Sequence, residues 1–317
     1  AIKWLRARQS SKPLCLFVGT NWPHVPWPET GEGYEAGKVI VPATHVDTPR
    51  TRDARATYYA AVTRMDTELG EVFDAAREVL GQDTFFITTS DHGAQWPFGK
   101  WNCYDAGIRT PMIAVWPGRI KAGARTSAMV SWIDLLPTLV EVAGGPAPKQ
   151  IDGRSFAGVL RGEAAQHRER IFTTHSADGR FNIYPSRSVR TADWKYIRNL
   201  RPDYYYTTHV DLVQAATGPG YFASWREKAK SDPAAAAVVK RYHERPAEEL
   251  YDLRTDPLEL RNLAADPRHA TRLAELRAEV TAWMKANGDE GKTFGEPRLL
   301  TDPRRAAPPQ APKKKQK

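Results

Sequence analysis

With 317 residues and 41% hydrophobic content, the chain is long enough to bury one large core and a smaller second one, which excludes a disordered or fibrous protein. No run approaches the roughly eighteen apolar residues of a membrane span, the opening AIKWLRARQSSKP has neither the apolar centre nor the cleavage site of a signal peptide, and two cysteines exclude a disulfide framework. The net charge of +9 is concentrated at one end: residues 297–317 hold seven Lys or Arg and one Asp, so the body carries only +3, and a specific nucleic-acid surface is not expected.

In chain order, Ala1 to Arg8 reads as the end of an amphipathic helix, and the absence of an initiator Met makes a chain cut from something longer the expectation. Pro13 to Gly19 (PLCLFVG) is a continuous apolar run, the pattern of a strand covered on both faces. Three prolines between Thr20 and Pro28 break regular structure and place His24 on a rigid loop just past that strand. A lone His in such a loop is either a packed, hydrogen-bonded side chain or a functional one. Asp53 to Leu80 shows helical spacing through Tyr58, Val62, Met65, Leu69, Val72 and Val79, with Gly81 to end it. Phe85 to Thr89 follows as a short strand, and a strand, helix, strand crossover implies parallel pairing.

That second strand delivers Asp91 and His92 at its end, where α/β sheets place their chemistry, and Gly93 lets the chain turn. A carboxylate there can hold a hard divalent cation, and the ammonium of Lys100, on the same loop, can bind an oxyanion that the cation also touches. The plainer reading makes Asp91 a turn cap, His92 half-buried and Lys100 a solvated charge. Met112 to Trp116 is a further apolar run, and a boundary is expected near Arg168. Beyond Arg170 short period-two runs, Ile171 to Thr174, Ser186 to Arg190, Trp194 to Asn199 and Glu248 to Asp252, predict an antiparallel sheet, closed by an amphipathic helix over Pro267 to Lys285. Residues 297–317, rich in Pro and Lys without apolar periodicity, are expected to be a disordered basic tail.

Ser90-Asp91-His92-Gly93, Gly99-Lys100, Tyr104-Asp105-Ala106-Gly107-Ile108-Arg109-Thr110-Pro111 and Trp116-Pro117-Gly118 resemble, in order and spacing, the Asp-Asn-Gly, Gly-Lys, Glu-Gly-Gly-x-Arg-x-Pro and Trp-Pro-Gly elements of the sulfatase family, within the alkaline phosphatase superfamily. Pro23-His24-Val25-Pro26 resembles its Pro-His-x-Pro element, and Asp134-Leu135-Leu136-Pro137-Thr138 its Asp-Leu-x-Pro-Thr helix, where Asp134 is expected to cap and orient. His45 and Asp66 are taken as structural. Asn182 to Arg190 and Arg201 to Tyr206 resemble more narrowly the heparan N-sulfatase subgroup.

The resemblance implies an α/β fold, an alkaline-phosphatase-like sandwich with a mostly parallel central sheet over 1–168 and a small C-terminal α+β domain with an antiparallel sheet over 169–296. It implies His24 and Lys100 as catalytic residues, Asp91 and His92 as metal ligands, and His175 and Arg187 as substrate contacts. The metal expected is calcium, with manganese the alternative because His92 replaces the usual Asn. The substrate class is an anionic sulfated carbohydrate, and the location periplasmic or secreted. Sulfatases carry C-x-P-x-R, converted to formylglycine, whereas here Cys15 is followed by Leu-Phe-Val and Cys103 by Tyr-Asp-Ala. The formylglycine is therefore expected in an N-terminal segment outside this sequence, and the chain alone is expected to be inactive. A phosphatase or phosphodiesterase of the same superfamily, or an inactive carbohydrate-binding relative, are the alternatives.

Overall fold

The computed structural model describes residues 1–212 and 220–307. Helix α1 (Ile2–Arg6) packs through Leu5 onto Ala75 and Ala76 of the long helix α2 (Pro49–Leu80). Thr48 caps α2 by accepting the Thr51 amide at 3.1 Å, Pro49 occupies its first turn, and Gly81 ends it at φ +79°, a conformation that favours glycine. The buried face of α2 is made of Thr51 and six alanines, whose small side chains let neighbours approach closely; the larger stripe from Val62 to Val79 is only half-buried.

Strand β1 (Phe86–Thr89) leads through the single-turn α3 (Asp105–Ile108) to β2 (Met112–Val115), and the two strands pair antiparallel. This corrects two local expectations. Pro13 to Gly19 forms no strand, its residues Leu16, Phe17 and Val18 are exposed, and among the described residues β1 has no parallel partner. A strand exists only through a neighbour's backbone groups, and β1 correspondingly is half-buried rather than buried.

After α4 (Leu135–Val142) and α5 (Ala157–Leu160), β3 (Ile171–Asp178), β4 (Asn182–Arg190) and β5 (Trp194–Asn199) form an antiparallel meander. Helices α6 (His209–Leu212), α7 (Tyr221–Lys228) and α8 (Pro233–His243) intervene before β6 (Glu248–Asp252) completes the sheet in the order β3-β4-β5-β6. Helix α9 (Ala270–Ala286) covers one face through Leu273, Leu276 and Val280. The other face meets a cluster of Trp96, Phe98, Tyr104, Tyr184, Tyr206, Tyr221, Trp225 and Tyr242. With both faces covered, β4 is buried along nearly its whole length. This cluster joins the loop after β1 to the C-terminal sheet.

The tail expectation is corrected as far as Ala307. Tyr205 N donates to Arg298 O at 2.7 Å, Leu300 N to Asp203 O at 3.0 Å, and Arg298 Nη1 to the carbonyls of Arg305 and Ala307. Backbone pairing and one guanidinium thus hold a segment whose composition carries no apolar pattern; residues 308–317 lie outside the described residues. Among the described residues no helix is long and apolar enough to cross a membrane.

Candidate functional site

The chain leaves β1 in a tight turn. Ser90 Oγ donates to His92 O at 2.8 Å, and Asp91 Oδ1 accepts the His92 amide at 3.0 Å. Gly93 N then donates to Gly107 O at 2.8 Å. A Cβ on Gly93 would overlap Ala106 O and lie 2.9 Å from Gly107 Cα, and one on Gly107 would lie 2.8 Å from Asn102 O. Both glycines are therefore required by the closeness of two backbone segments rather than by their dihedral angles.

This turn leaves the Asp91 side chain 80% exposed. His92 Nδ1 is 2.8 Å from Gly93 O, and because a carbonyl only accepts, Nδ1 carries a proton. Nε2 lies 3.3 Å from Asp91 Oδ2. In the neutral imidazole that places a nitrogen lone pair against a carboxylate oxygen, an arrangement completed by a cation, whether a proton or a metal ion touching both. The donor pair thus fits a divalent metal as part of a coordination shell. Among the described residues no group of three or more His, Cys, Asp or Glu gathers to complete it.

Lys100 is held close to the same turn, its amide donating to Ala94 O at 2.9 Å. Its Nζ lies 4.9 Å from the Trp101 ring centroid, and among the described residues no carboxylate pairs with it. His24 is exposed, with its amide on Asn21 O at 2.9 Å and Nδ1 2.6 Å from Val25 O. The two loops are clasped by aromatic stacking: Trp27 donates through Nε1 to Pro23 O at 2.9 Å and stacks on Trp96 at 5.1 Å. Trp96 in turn packs against His45 at 5.1 Å and Tyr221 at 4.6 Å. His45 is structural, as expected: burial first, and the charge of Arg55 second, push it down to about 3. Trp101, whose ring lies 4.9 Å from Lys100 Nζ, stacks on His209 at 5.4 Å, and burial first, with the charges of Lys100 and His24 after it, holds the His209 imidazole below its ordinary range.

The sulfatase family matches residues 1–145, and the C-terminal domain of N-sulphoglucosamine sulphohydrolase matches residues 92–245. The chain belongs to the sulfatase family. It is 30% identical over 287 residues to an ulvan-active sulfatase of Formosa agariphila, covering 89% of this chain and 54% of that protein. Human N-sulphoglucosamine sulphohydrolase is 31% identical over 275 residues, covering 80% of this chain and 52% of that one. The solved structure of a 2-O GAG sulfatase superposes with a TM-score of 0.56 at 21% identity, over 96% of this chain and 60% of that one, and shows the shared alkaline-phosphatase-like fold. The chain spans about half the length of the curated relatives it matches.

His175 and Arg187 lie within the β3–β4 pair. His175 Nε2 meets Asn182 Oδ1, and burial holds the imidazole below its ordinary range. Arg187 is 4% exposed. Its Nε and Nη2 engage Asp289, and Nη1 donates to His175 O at 2.8 Å and Ser186 O at 2.9 Å. Every guanidinium nitrogen already has a partner inside the fold, and Asp289, beyond α9, gives no sequence signal of that role.

Asp105 is an anchor of the loop between β1 and β2 that sequence reasoning missed. Its carboxylate meets Lys195 Nζ at 2.9 Å and Arg190 Nε at 3.1 Å, while Lys195, fully buried, also donates to Cys103 O at 2.9 Å. Both cations keep the Asp105 carboxyl below its ordinary range despite burial, which alone would raise it. Asp134, fully buried, caps as expected: it accepts the amides of Ser131 at 2.9 Å and Arg154 at 3.0 Å and binds Arg168 Nε at 2.7 Å.

Proposed function

We propose that the whole protein hydrolyses the sulfo group of a sulfated sugar, with an N-sulfated glucosamine of a heparan-type glycosaminoglycan as its substrate and a periplasmic or secreted location. The observation that carries this reading is that Lys100 shares the loop after β1 with the Asp91–His92 pair, and that Trp27 of the His24 loop stacks on Trp96 of that same loop at 5.1 Å. The sugar-active relatives support the substrate class.

Lys100 clamps a sulfo oxygen through its ammonium group. His24 stands on the leaving-group side. As the bond from sulfur to the sugar nitrogen or oxygen breaks, the departing atom takes its electron pair and a proton from the imidazole. A divalent cation, calcium or else manganese, held by Asp91 and His92 would neutralise sulfo oxygens, and a formylglycine hydrate, which neither Cys15 nor Cys103 can furnish within C-x-P-x-R, would supply the attacking oxygen.

The test is turnover by the whole gene product. Lys100→Ala and His24→Ala each lower kcat/KM on the order of a hundredfold. His24→Ala loses less on an aryl sulfate, whose phenolate leaves without protonation, than on the sugar. Equal losses on both remove the general-acid role, and unchanged turnover in both variants overturns the site.

A further inference from the structure

His209 opens α6, far in sequence from the loop after β1, yet its ring is held against Trp101 of that loop. It lies against Trp101, the residue after Lys100, at 5.4 Å and 20° between planes, and against Phe181 of the β3–β4 hairpin at 3.7 Å between centroids. Two aromatic neighbours fix a ring plane that a surface histidine would leave free. The Nδ1 atom is buried without a hydrogen-bond partner; the nearest carboxylate oxygen, Asp178 Oδ2, is 3.6 Å away. Asp178 therefore stands on the Nδ1 side of the ring, and Nε2 is the nitrogen that a ligand would meet.

From these contacts we infer that His209 is a third anion-facing side chain of the Lys100–His24 site and contacts the sulfo group of the substrate, with Asp178 as its positioning partner. This inference rests on the proposed sulfo-binding role of Lys100 and His24. The charged group beside His209 is Asp178 on β3 at 3.6 Å, Lys100 Nζ lies 4.9 Å from the Trp101 ring on which His209 stacks, and the charges of Lys100 and His24 both act on the imidazole. Arg180, on the same hairpin, lies over the Phe181 ring at 5.4 Å. Burial, then the charges of Lys100 and His24, hold the imidazole below its ordinary range while Asp178 opposes them. An anion seated among the three basic groups reverses the sign of that local field, and His209 then takes up a proton and donates to it.

The experiment is a proton NMR titration of the histidines in this chain, with and without sodium sulfate or N-sulfoglucosamine. The His209 signal is assigned by its loss in His209→Gln, whose fold is checked by circular dichroism. Either ligand should raise the His209 midpoint by about one pH unit, and Lys100→Ala should abolish the rise. Movement of His24 while His209 stays fixed overturns the inference and leaves the sulfo-binding reading standing. If neither moves, both fall.

Discussion

Glu259 gives the most direct test of how the C-terminal sheet supports the site. It is 2% exposed, its Oε2 accepts the Asp105 amide at 2.7 Å, and its Oε1 is buried without a partner. Burial is the main cause that pushes its carboxyl up from 4.5 to about 7; Asp105 and Glu249 add to the rise, and Lys195 opposes it. Between these two values the folded state keeps a proton that the unfolded chain releases, so stability is fully present below pH 4.5 and falls as pH rises towards 7. A shift of that size corresponds to about 3 kcal/mol across the window. Glu259→Gln keeps the shape, keeps an acceptor for the Asp105 amide and removes the titration. Urea unfolding of both proteins, followed by tryptophan fluorescence from pH 4 to 8, should show the variant gaining on the parent by about 3 kcal/mol as pH rises. Asp211, pushed up to about 6 by burial, titrates in both proteins and cancels in the difference. A difference that does not vary with pH would refute the reasoning, because Glu259 would then be ionised throughout.

Gly93→Ala should cost about 3 kcal/mol, since its Cβ would have to displace backbone at Ala106 and Gly107 rather than a flexible side chain. The control is Gly37→Ala, where a Cβ meets nothing within 4 Å, and equal melting temperatures for the two variants would contradict the packing argument. Trp27→Ala should cost about 2 kcal/mol by removing the stack on Trp96. It should also release the His24 loop, so the sulfate-induced movement of the His24 signal shrinks while that of His209 persists; a parallel loss of both would mean that the clasp is not what positions His24.

The sequence disclosed most where contacts are local. β5 and β6 run over the residues that alternation marks, Trp194–Asn199 and Glu248–Asp252. β4 begins earlier than expected because the chain continues through Pro185 at the register shift between His175 and Ala177, where a missing N–H costs no ladder bond. The nearness of Asp91, His92 and Lys100 was legible because one loop carries them, and the irregular course of the His24 loop because prolines break it. His209 was not: an isolated His at the start of a one-turn helix has no local pattern, and only the fold brings Trp101 and Phe181 against it. The apolar run at Pro13 to Gly19 misled because hydrophobicity reports that a segment suits a sheet, whereas strand formation depends on which backbone lies beside it.

The departure of Asp105-Ala106-Gly107 from Glu-Gly-Gly is best understood through what the C-terminal sheet does to it. Lys195 and Arg190 reach across from β5 and β4 to the Asp105 carboxylate, Glu259 takes its amide, and Glu249 accepts the Tyr104 hydroxyl at 2.7 Å. Each buried charge is costly to desolvate, so the cluster contributes less to stability than its short distances imply. Its effect is positional. It fixes residues 104–107 against the sheet, Gly107 O then holds the Gly93 amide, and Gly93 directly follows the Asp91–His92 pair. The antiparallel sheet is thereby one backbone hydrogen bond away from the turn that presents Asp91 and His92, and a side chain at either glycine would break the link.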